Sequence, residues 1–403
     1  MTWSLKKIGP GLLFAGAAIG VSHLIQSTKA GAEFGFGLVW ALLLVNIFKY
    51  PFFQFGPRYA LATGETLLDG YKRLGKGVLI TYYVLTFATM FTIQTAVTIV
   101  TAGLATSIFG LDISPEYWTV IILVISFAIL ILGKYGFLDR LMKFIVVILT
   151  VSTLIAVFFA AKNHSGSVSF QAYIPNALEF GFLIAFMGWM PAPLDISIWH
   201  SLWAIEKQKV TKDYNVKSTL FDFNVGFIAT IIIGLGFISL GALVMFNSGE
   251  TFSDKAGPFS NQLIALYTNN LGEWSYIIIG IAAFTTMFST TLTTLDASPR
   301  AMAKTTELLF KKSPKHMYLI WMLILISGSI LIFFKFQSEM GFLIQIATVL
   351  SFLTAPFYAI INYKLISSKH TPKSWRPSLK MHILSWMGIL FLIGFSIWYL
   401  SLL

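Results

Sequence analysis

Two prolines two residues apart, Pro191 and Pro193, stand inside a long apolar stretch of this chain, with a carboxylate, Asp195, directly after them. Proline has no N–H to donate and its ring clashes with the preceding turn, so a helix carried through 191–193 breaks there. A second apolar stretch is interrupted by Gly20-Val21-Ser22-His23, followed by Gln26, Ser27 and Thr28. A broken helix in hydrocarbon leaves carbonyls and amides that only buried protein or a water-filled cavity can satisfy. The groups at these two places suit cation chemistry. A hard cation takes oxygen ligands, for which Asp195 is the carboxylate nearest either break. His23 offers an imidazole nitrogen and Met187 or Met190 a thioether to a transition metal, while Gly20, Ser22, Gln26 and Thr354 are neutral lining groups. The alternative for His23 is a packed helix residue, and for the methionines a gap-filling role. An ionised Asp195 deep in lipid needs a cation close by, either cargo or a partner within the chain. Lys49, next to Pro51, is the internal candidate; its other reading is an amine that snorkels to the cytoplasmic interface.

The elements that hold these residues follow from composition. Of 403 residues, 56% are hydrophobic and only 11% charged, against roughly 25% charged in soluble domains, which excludes a soluble globular protein. Disorder and a disulfide scaffold are excluded too, the latter because cysteine is absent. A net charge of +11 does not indicate nucleic acid, because the basic residues lie between apolar runs rather than on one face. Runs long enough to cross about 30 Å of hydrocarbon occur near 9–30, 35–55, 78–105, 116–133, 143–161, 179–203, 220–246, 275–297, 316–335, 341–366 and 382–402. They are continuous rather than alternating, which indicates helices and not barrel strands. The expected fold is thus an all-α polytopic membrane protein with eleven transmembrane helices. Lys6-Lys7 before the first run resembles a signal-peptide flank, but the run is too long and lacks a cleavage site, so it reads as retained.

Basic residues set the expected orientation. With the N-terminus in the cytoplasm, the inner segments hold Lys6 and Lys7; Arg58, Lys72, Arg73 and Lys76; Lys134, Arg140 and Lys143; Lys207, Lys209, Lys212 and Lys217; Arg300, Lys304, Lys311, Lys312 and Lys315; and Lys364, Lys369, Lys373, Arg376 and Lys380. The outer side keeps only Lys29, Lys162, Lys255 and Lys335, which places the C-terminus outside. Asp222 and Asp296 lie near span ends, where solvated or capping roles suit them. No linker leaves room for a soluble domain, so one transmembrane domain is expected. The two interrupted runs, the first and the sixth, are five crossings apart and of opposite orientation. That is the pattern of a five-plus-five inverted repeat, about 9–161 and 179–366, with an extra helix at 382–402, and paired broken helices point to a central substrate site between them.

Several motifs carry a resemblance. Gly9-Pro10-Gly11, Ala30-Gly31-Ala32-Glu33-Phe34-Gly35, Arg58 with Ala62-Thr63-Gly64, Lys134-Tyr135-Gly136-Phe137, His200-Ser201, Ser289-Thr290-Thr291-Leu292-Thr293 and Ala355-Pro356-Phe357 fall in the order and spacing of the Nramp family of divalent-metal transporters. The chain resembles a divergent member of that family, within the amino acid-polyamine-organocation superfamily, and the resemblance implies a LeuT-type fold with broken helices 1 and 6. It also exposes departures. The family's Asp-Pro-Gly-Asn metal motif falls on Gly20, Val21, Ser22 and His23, so both ligand side chains are replaced. Its Met-Pro-His in span 6 aligns with Met190-Pro191-Ala192, or, counted back from His200-Ser201, with Pro193-Leu194-Asp195; the histidine is lost either way. The acidic relay positions of span 3 fall on Gln94 and Val97, and the coordinating glutamine of span 10 on Thr348.

The expectation is a secondary-active membrane transporter, with alternating access around a midplane site and a divalent cation of the magnesium, manganese or iron class as cargo. Asp195, with His23, would be the metal-binding side chains, and Lys49 and Gln94 the coupling or gating groups. Alternatives are a carrier of a small organic amine or amino acid on the same fold, or a transport-inactive sensor. An enzyme is not expected: six scattered histidines and no cysteine give no catalytic spacing. No cofactor and no obligatory protein partner are evident beyond membrane lipid and the transported ion, and the cell (inner) membrane is the expected location.

Overall fold

A computed structural model of the chain describes residues 10–109, 111, 113–133, 135–164, 166, 168–177, 179–210, 216–246, 248–249, 251–310, 316–335 and 340–402. Lys6, Lys7, Gly9, Lys134, Lys212, Lys311, Lys312 and Lys315, used above for orientation or motif matching, lie outside the described residues. The helices in chain order are α1 (Pro10–Ala18), α2 (Thr28–Phe34), α3 (Val39–Thr63), α4 (Leu67–Leu74), α5 (Lys76–Phe109), α6 (Pro115–Leu132), α7 (Tyr135–Asn163), α8 (Phe180–Trp189), α9 (Ile196–Val210), α10 (Val216–Val244), α11 (Ala256–Leu271), α12 (Ser275–Phe310), α13 (Met317–Lys335), α14 (Met340–Ser367) and α15 (Leu379–Ser401). A π-helical turn, Ser22–Ser27, joins α1 to α2, and a 3-10 turn, Lys373–Trp375, precedes α15.

Among the described residues, eight helices are long and apolar enough to span a membrane: α3, α5, α6, Thr219–Val244 of α10, α12, α13, α14 and α15. The apolar runs at 9–30 and 179–203 are each divided between shorter helices, so neither contributes one long element. Two helices have no counterpart among the runs. In α4 a capping box closes the N-terminus, Thr66 N–H donating to Asp69 Oδ2 at 3.0 Å while Asp69 N–H donates to Thr66 Oγ1 at 3.3 Å. In α11, Gln262, Asn269 and Asn270 keep the sequence below the hydropathy of a span.

Burial separates the helices into an inner and an outer set. In α5 and α12 two thirds of the most apolar window, 67%, is buried by protein, against 22% in α6 and 28% in α13 and α15. The outer helices leave large apolar side chains such as Leu132, Leu331 and Leu390 uncovered, which is the surface lipid tails cover. Inside, where no water reaches, α5 and α12 are stitched by hydroxyls and an amide: Thr101 and Thr291 share a hydrogen bond at 2.8 Å, and Thr294 donates to Gln94 Oε1 at 2.8 Å. Two carboxylates find partners within the fold, and Asp296, inside α12 and buried, is neither solvated nor at a helix end as its place in the sequence suggested. Asp296 pairs with Arg300 at 2.6 Å and accepts from Tyr318 at 2.6 Å, and Asp222 accepts the otherwise orphan N–H of Gly11 in the first turn of α1 at 2.9 Å, a capping role.

Candidate functional site

Helix α8 ends at Trp189, residues 190–195 are non-helical, and α9 starts at Ile196. The sequence explains the stop. The carbonyl of Met187 would accept from residue 191 and that of Trp189 from residue 193, and both are prolines without an N–H. The last carbonyls of α8 are therefore bare at a depth where water is absent. Lys49 of α3 answers them. Its Nζ lies 2.7 Å from the carbonyl oxygens of Met187 and Gly188, 3.1 Å from that of Met190 and 3.4 Å from that of Ala192, three N–H donors shared among four acceptors, and the residue is fully buried. A charged donor is the strongest choice for such acceptors, and it stands at the negative end of the α8 dipole. Lys49 thus neither snorkels to an interface nor bonds Asp195 directly: the four carbonyls outbid both, because each would otherwise be unsatisfied.

Asp195 lies at the other edge of the gap, one residue before α9, at that helix's positive end. It is 5% exposed, its Oδ1 has no hydrogen-bond partner among the described residues, and it and Lys49 act on each other electrostatically across the break. The gap thus carries a lysine amine at its carbonyl end and a carboxyl group at its amide end.

The interruption in the first run is built differently. Only Ile19 and Gly20 leave the helix, and by Ser22 the chain has resumed in the π-helical turn. Its loose carbonyls are taken by neutral groups. The one hydroxyl proton of Thr290 in α12 is shared among the carbonyls of Gly16 and Ile19, at 3.3 Å each, and of Thr286 in its own helix at 3.2 Å, and Ser22 Oγ lies 2.8 Å from the Ala18 oxygen. His23 is fully buried, with Nε2 3.0 Å from the carbonyl oxygen of Thr230 and Nδ1 2.7 Å from Ser22 Oγ. The Thr230 carbonyl can only accept, so Nε2 carries the ring proton and donates to it, while Nδ1 and the Ala18 carbonyl compete for the one proton of the Ser22 hydroxyl. The two interruptions meet where Ser22 Oγ approaches the Pro191 carbonyl at 3.5 Å.

Between them a cavity of about 20 Å³ is bordered by Gly20, Ser22, Val97, Pro193, Thr290 and Thr294 among others. That is room for one water molecule, not the open pocket that bare helix ends suggest, because Thr290 and the rings of Trp189 and Trp199 crowd it. Toward the start of α1, Phe14, Phe53, Phe223 and Phe227 close the path, with Phe14 5.2 Å from Phe53 and 5.7 Å from the His200 ring.

The remaining candidates sit as follows. Met187 and Met190 side chains are in the core, and it is their carbonyls that face Lys49. Gln26 is 5% exposed, and its Oε1 has no partner among the described residues. Gln94 is fully engaged between α5 and α12, its Nε2 donating to Thr98 Oγ1 at 3.1 Å. Thr348 and Thr354 donate to carbonyls of their own helix, Ile344 at 2.8 Å and Leu350 at 3.0 Å. Among the described residues no group of three or more His, Asp or Glu is placed to hold a metal. What converges is main-chain oxygen. Sequence reasoning missed Thr290, Thr294 and the carbonyls of Gly188 and Ala192; the available signal for the threonines was their spacing of four inside an apolar helix, which puts two hydroxyls on one face.

Comparisons with known proteins bear on what this arrangement belongs to. The family profile described as natural resistance-associated macrophage protein-like, Nramp, matches residues 11–402. An uncharacterised protein of Pasteurella multocida is 37% identical over 99% of this chain and 93% of its own length. The metal transporter Nramp5 of Oryza sativa subsp. japonica is 24% identical over 98% of this chain and 75% of its own. Among solved structures, a mutant of the Eremococcus coleocola manganese transporter superposes with a TM-score of 0.71 at 14% identity, over 96% of this chain and 84% of that one, a likeness of LeuT-like fold. With a profile match across nearly its whole length, this chain belongs to the Nramp family of integral membrane transporters and is not an enzyme.

Proposed function

We propose that the chain is a secondary-active carrier that moves a divalent cation of the magnesium, manganese or iron class by alternating access. In this reading α1, the π-helical turn and α2 form one interrupted crossing, and α8 with α9 another. With α7 and α10 counted as crossings, the total is eleven, arranged as an inverted repeat of about 9–161 and 179–366 with a further helix at 382–402, in one transmembrane domain. The N-terminus is cytoplasmic, the C-terminus outside, and the location is the cell (inner) membrane; no cofactor or protein partner is required.

The observation that carries the cargo class is the ring of carbonyl oxygens from Met187, Gly188, Met190 and Ala192, which already holds a positive charge, with the free Oδ1 of Asp195 across the gap. Oxygen atoms from the main chain and one carboxylate are ligands for a hard divalent ion, and they do not need the side chains that the family motif places in span 1. The names of the rice and Eremococcus proteins support a metal as cargo.

The test is uptake into proteoliposomes of purified protein, challenged separately with magnesium, manganese and ferrous ions and with a panel of small amines, with internal pH followed. Divalent-cation uptake is the expected result, and amine uptake without any metal overturns the reading. Replacing Asp195→Asn, nearly isosteric, removes the negative charge facing the carbonyls; cation uptake below saturation is expected to fall about tenfold or more, a change of roughly 1.4 kcal/mol or greater in binding. Normal uptake by that variant removes Asp195 from the site.

A further inference from the structure

The carbonyl ring at the end of α8 is occupied by part of the protein itself. Lys49 reaches it from α3, some 140 positions away in sequence, and shares its three N–H donors among four carbonyl oxygens there with no solvent contact. Arriving cargo and the Lys49 ammonium would compete for the same oxygens. We propose that Lys49 is a tethered counter-cation: it fills the cation site when the carrier is empty and leaves it when cargo binds. The proposal rests on the cargo class given above and goes beyond it by assigning a specific step of the cycle to one side chain.

The physical need lies in the empty carrier. Alternating access requires the unloaded site to reorient inside the membrane as well as the loaded one. Without an ion, the site presents four carbonyls without partners and the Asp195 carboxylate, and each such group is expensive in a low-dielectric interior. A carrier can meet that need by binding a second ion from solution, or by supplying the charge itself. Lys49 does the latter in this structure. Its amine is compact and its stem flexible, so it can fill a site shaped for a small ion and withdraw along α3. The same charge opposes cargo: a divalent ion entering the site meets a fixed positive charge on a short tether. Lys49 therefore weakens cargo binding and speeds the return of the empty carrier, two effects with opposite signs on uptake.

That opposition gives a signature no structural role produces. The variant is Lys49→Gln, which removes the charge yet keeps two N–H donors for the ring. In proteoliposomes with manganese as the probe, three quantities are read: KM, the maximal rate of net uptake into empty vesicles, and the rate of exchange into vesicles preloaded with manganese. The expected results are a KM about tenfold or more below wild type, net uptake reduced about tenfold or more, and exchange preserved within about threefold, because exchange never uses the empty return step. An unchanged or raised KM, or exchange and net uptake falling together, overturns the proposal. Lys49→Arg keeps the charge but not the compact shape, so it should not restore the wild-type ratio of net uptake to exchange. If the glutamine variant does not fold, the wild type decides alone: net manganese uptake into empty vesicles should proceed at the same rate whichever monovalent cation is set inside, and a requirement for a particular internal cation would overturn the assignment. The wild-type measurement separates the two readings, since absence of any divalent uptake or exchange sinks the cargo class itself, whereas wild-type transport with an unaltered Lys49→Gln signature sinks only the role of Lys49.

Discussion

The two interruptions differ in what fills them. At the end of α1 the carbonyls of Gly16, Ala18 and Ile19 face the hydroxyls of Thr290 and Ser22 and, at Ala18, the Gly20 N–H, all neutral groups that cost little to bury once paired. At the end of α8 the filler is an ammonium, with a carboxylate one residue before the next helix. A neutral filler stabilises one conformation and has no competitor. A charged filler can be replaced by another cation and is itself costly to bury, so its retention at the second gap ties that gap to ion chemistry. On the proposed cargo, cation chemistry would then be concentrated in the sixth apolar run, with the first chiefly a wall of the site.

The comparison breaks most sharply at two glycines. A Cβ on Gly188 would lie 2.2 Å from the carbonyl oxygen of Thr348, so α8 and α14 touch backbone to backbone. Gly188→Ala is expected to lower stability by about 3 kcal/mol or more, since neither main chain can yield locally. A Cβ on Gly20 would meet only the Thr290 side chain, at 2.8 Å from its Oγ1. The Thr290 Cγ2 is as close, at 2.9 Å, so the whole side chain must shift, and Gly20→Ala is expected to cost about 1 to 2 kcal/mol, less than at Gly188 because only a side chain has to yield. Thermal unfolding of the detergent-solubilised variants measures both, and a larger loss at Gly20 would reverse the ranking of the two gaps.

A finer test uses the neutral fillers. His23→Gln and Thr290→Val each leave buried carbonyls with fewer donors, and each should destabilise by about 1 to 3 kcal/mol. Neither should move the KM for a divalent cation more than about twofold, well under the roughly 1.4 kcal/mol that a tenfold change represents. Uptake kinetics alongside unfolding separate the two quantities. A His23→Gln variant that folds normally but loses cation affinity would make the imidazole a ligand and move part of the chemistry back to the first run.

How much of this was legible beforehand depends on the range of the interaction. The end of α8 follows from Pro191 and Pro193 alone, because loss of two donors is a local fact. The membrane class follows from apolar runs, and family membership from short motifs in a fixed order. The partner of the α8 carbonyls was not legible. Nothing near Lys49 in sequence says that its amine ends beside residues 187–192, since that pairing is decided by how α3 packs across the gap. Asp195 was the obvious partner by charge, and the structure prefers four unsatisfied carbonyls to one carboxylate, an outcome that depends on counting orphan acceptors in three dimensions. The filled centre was hidden for a related reason: glycines and small polar residues suggest space, but whether rings such as Phe14 and Trp199 occupy it is a matter of tertiary packing.

Thr354 sets the lower limit of the comparison. It was a candidate lining group on the strength of being a hydroxyl in an apolar span, yet its Oγ1 donates at 3.0 Å to Leu350 and 3.2 Å to Ser351, carbonyls of its own helix, and it is only half-buried. Such back-bonding is what a threonine does in any helix without a better partner, and the carbonyls it touches lie in the interior of α14, where the helix ladder supplies their N–H donors. Valine has the same branched shape, fits the same rotamer and removes only the redundant bond. Thr354→Val is therefore expected to change stability by no more than about 0.5 kcal/mol and to leave cation uptake at the wild-type rate. A marked loss of uptake in that variant would mean that α14 turns its hydroxyl toward the cargo in another conformation of the cycle, and the cation site would then extend beyond the α8 carbonyls to a third helix.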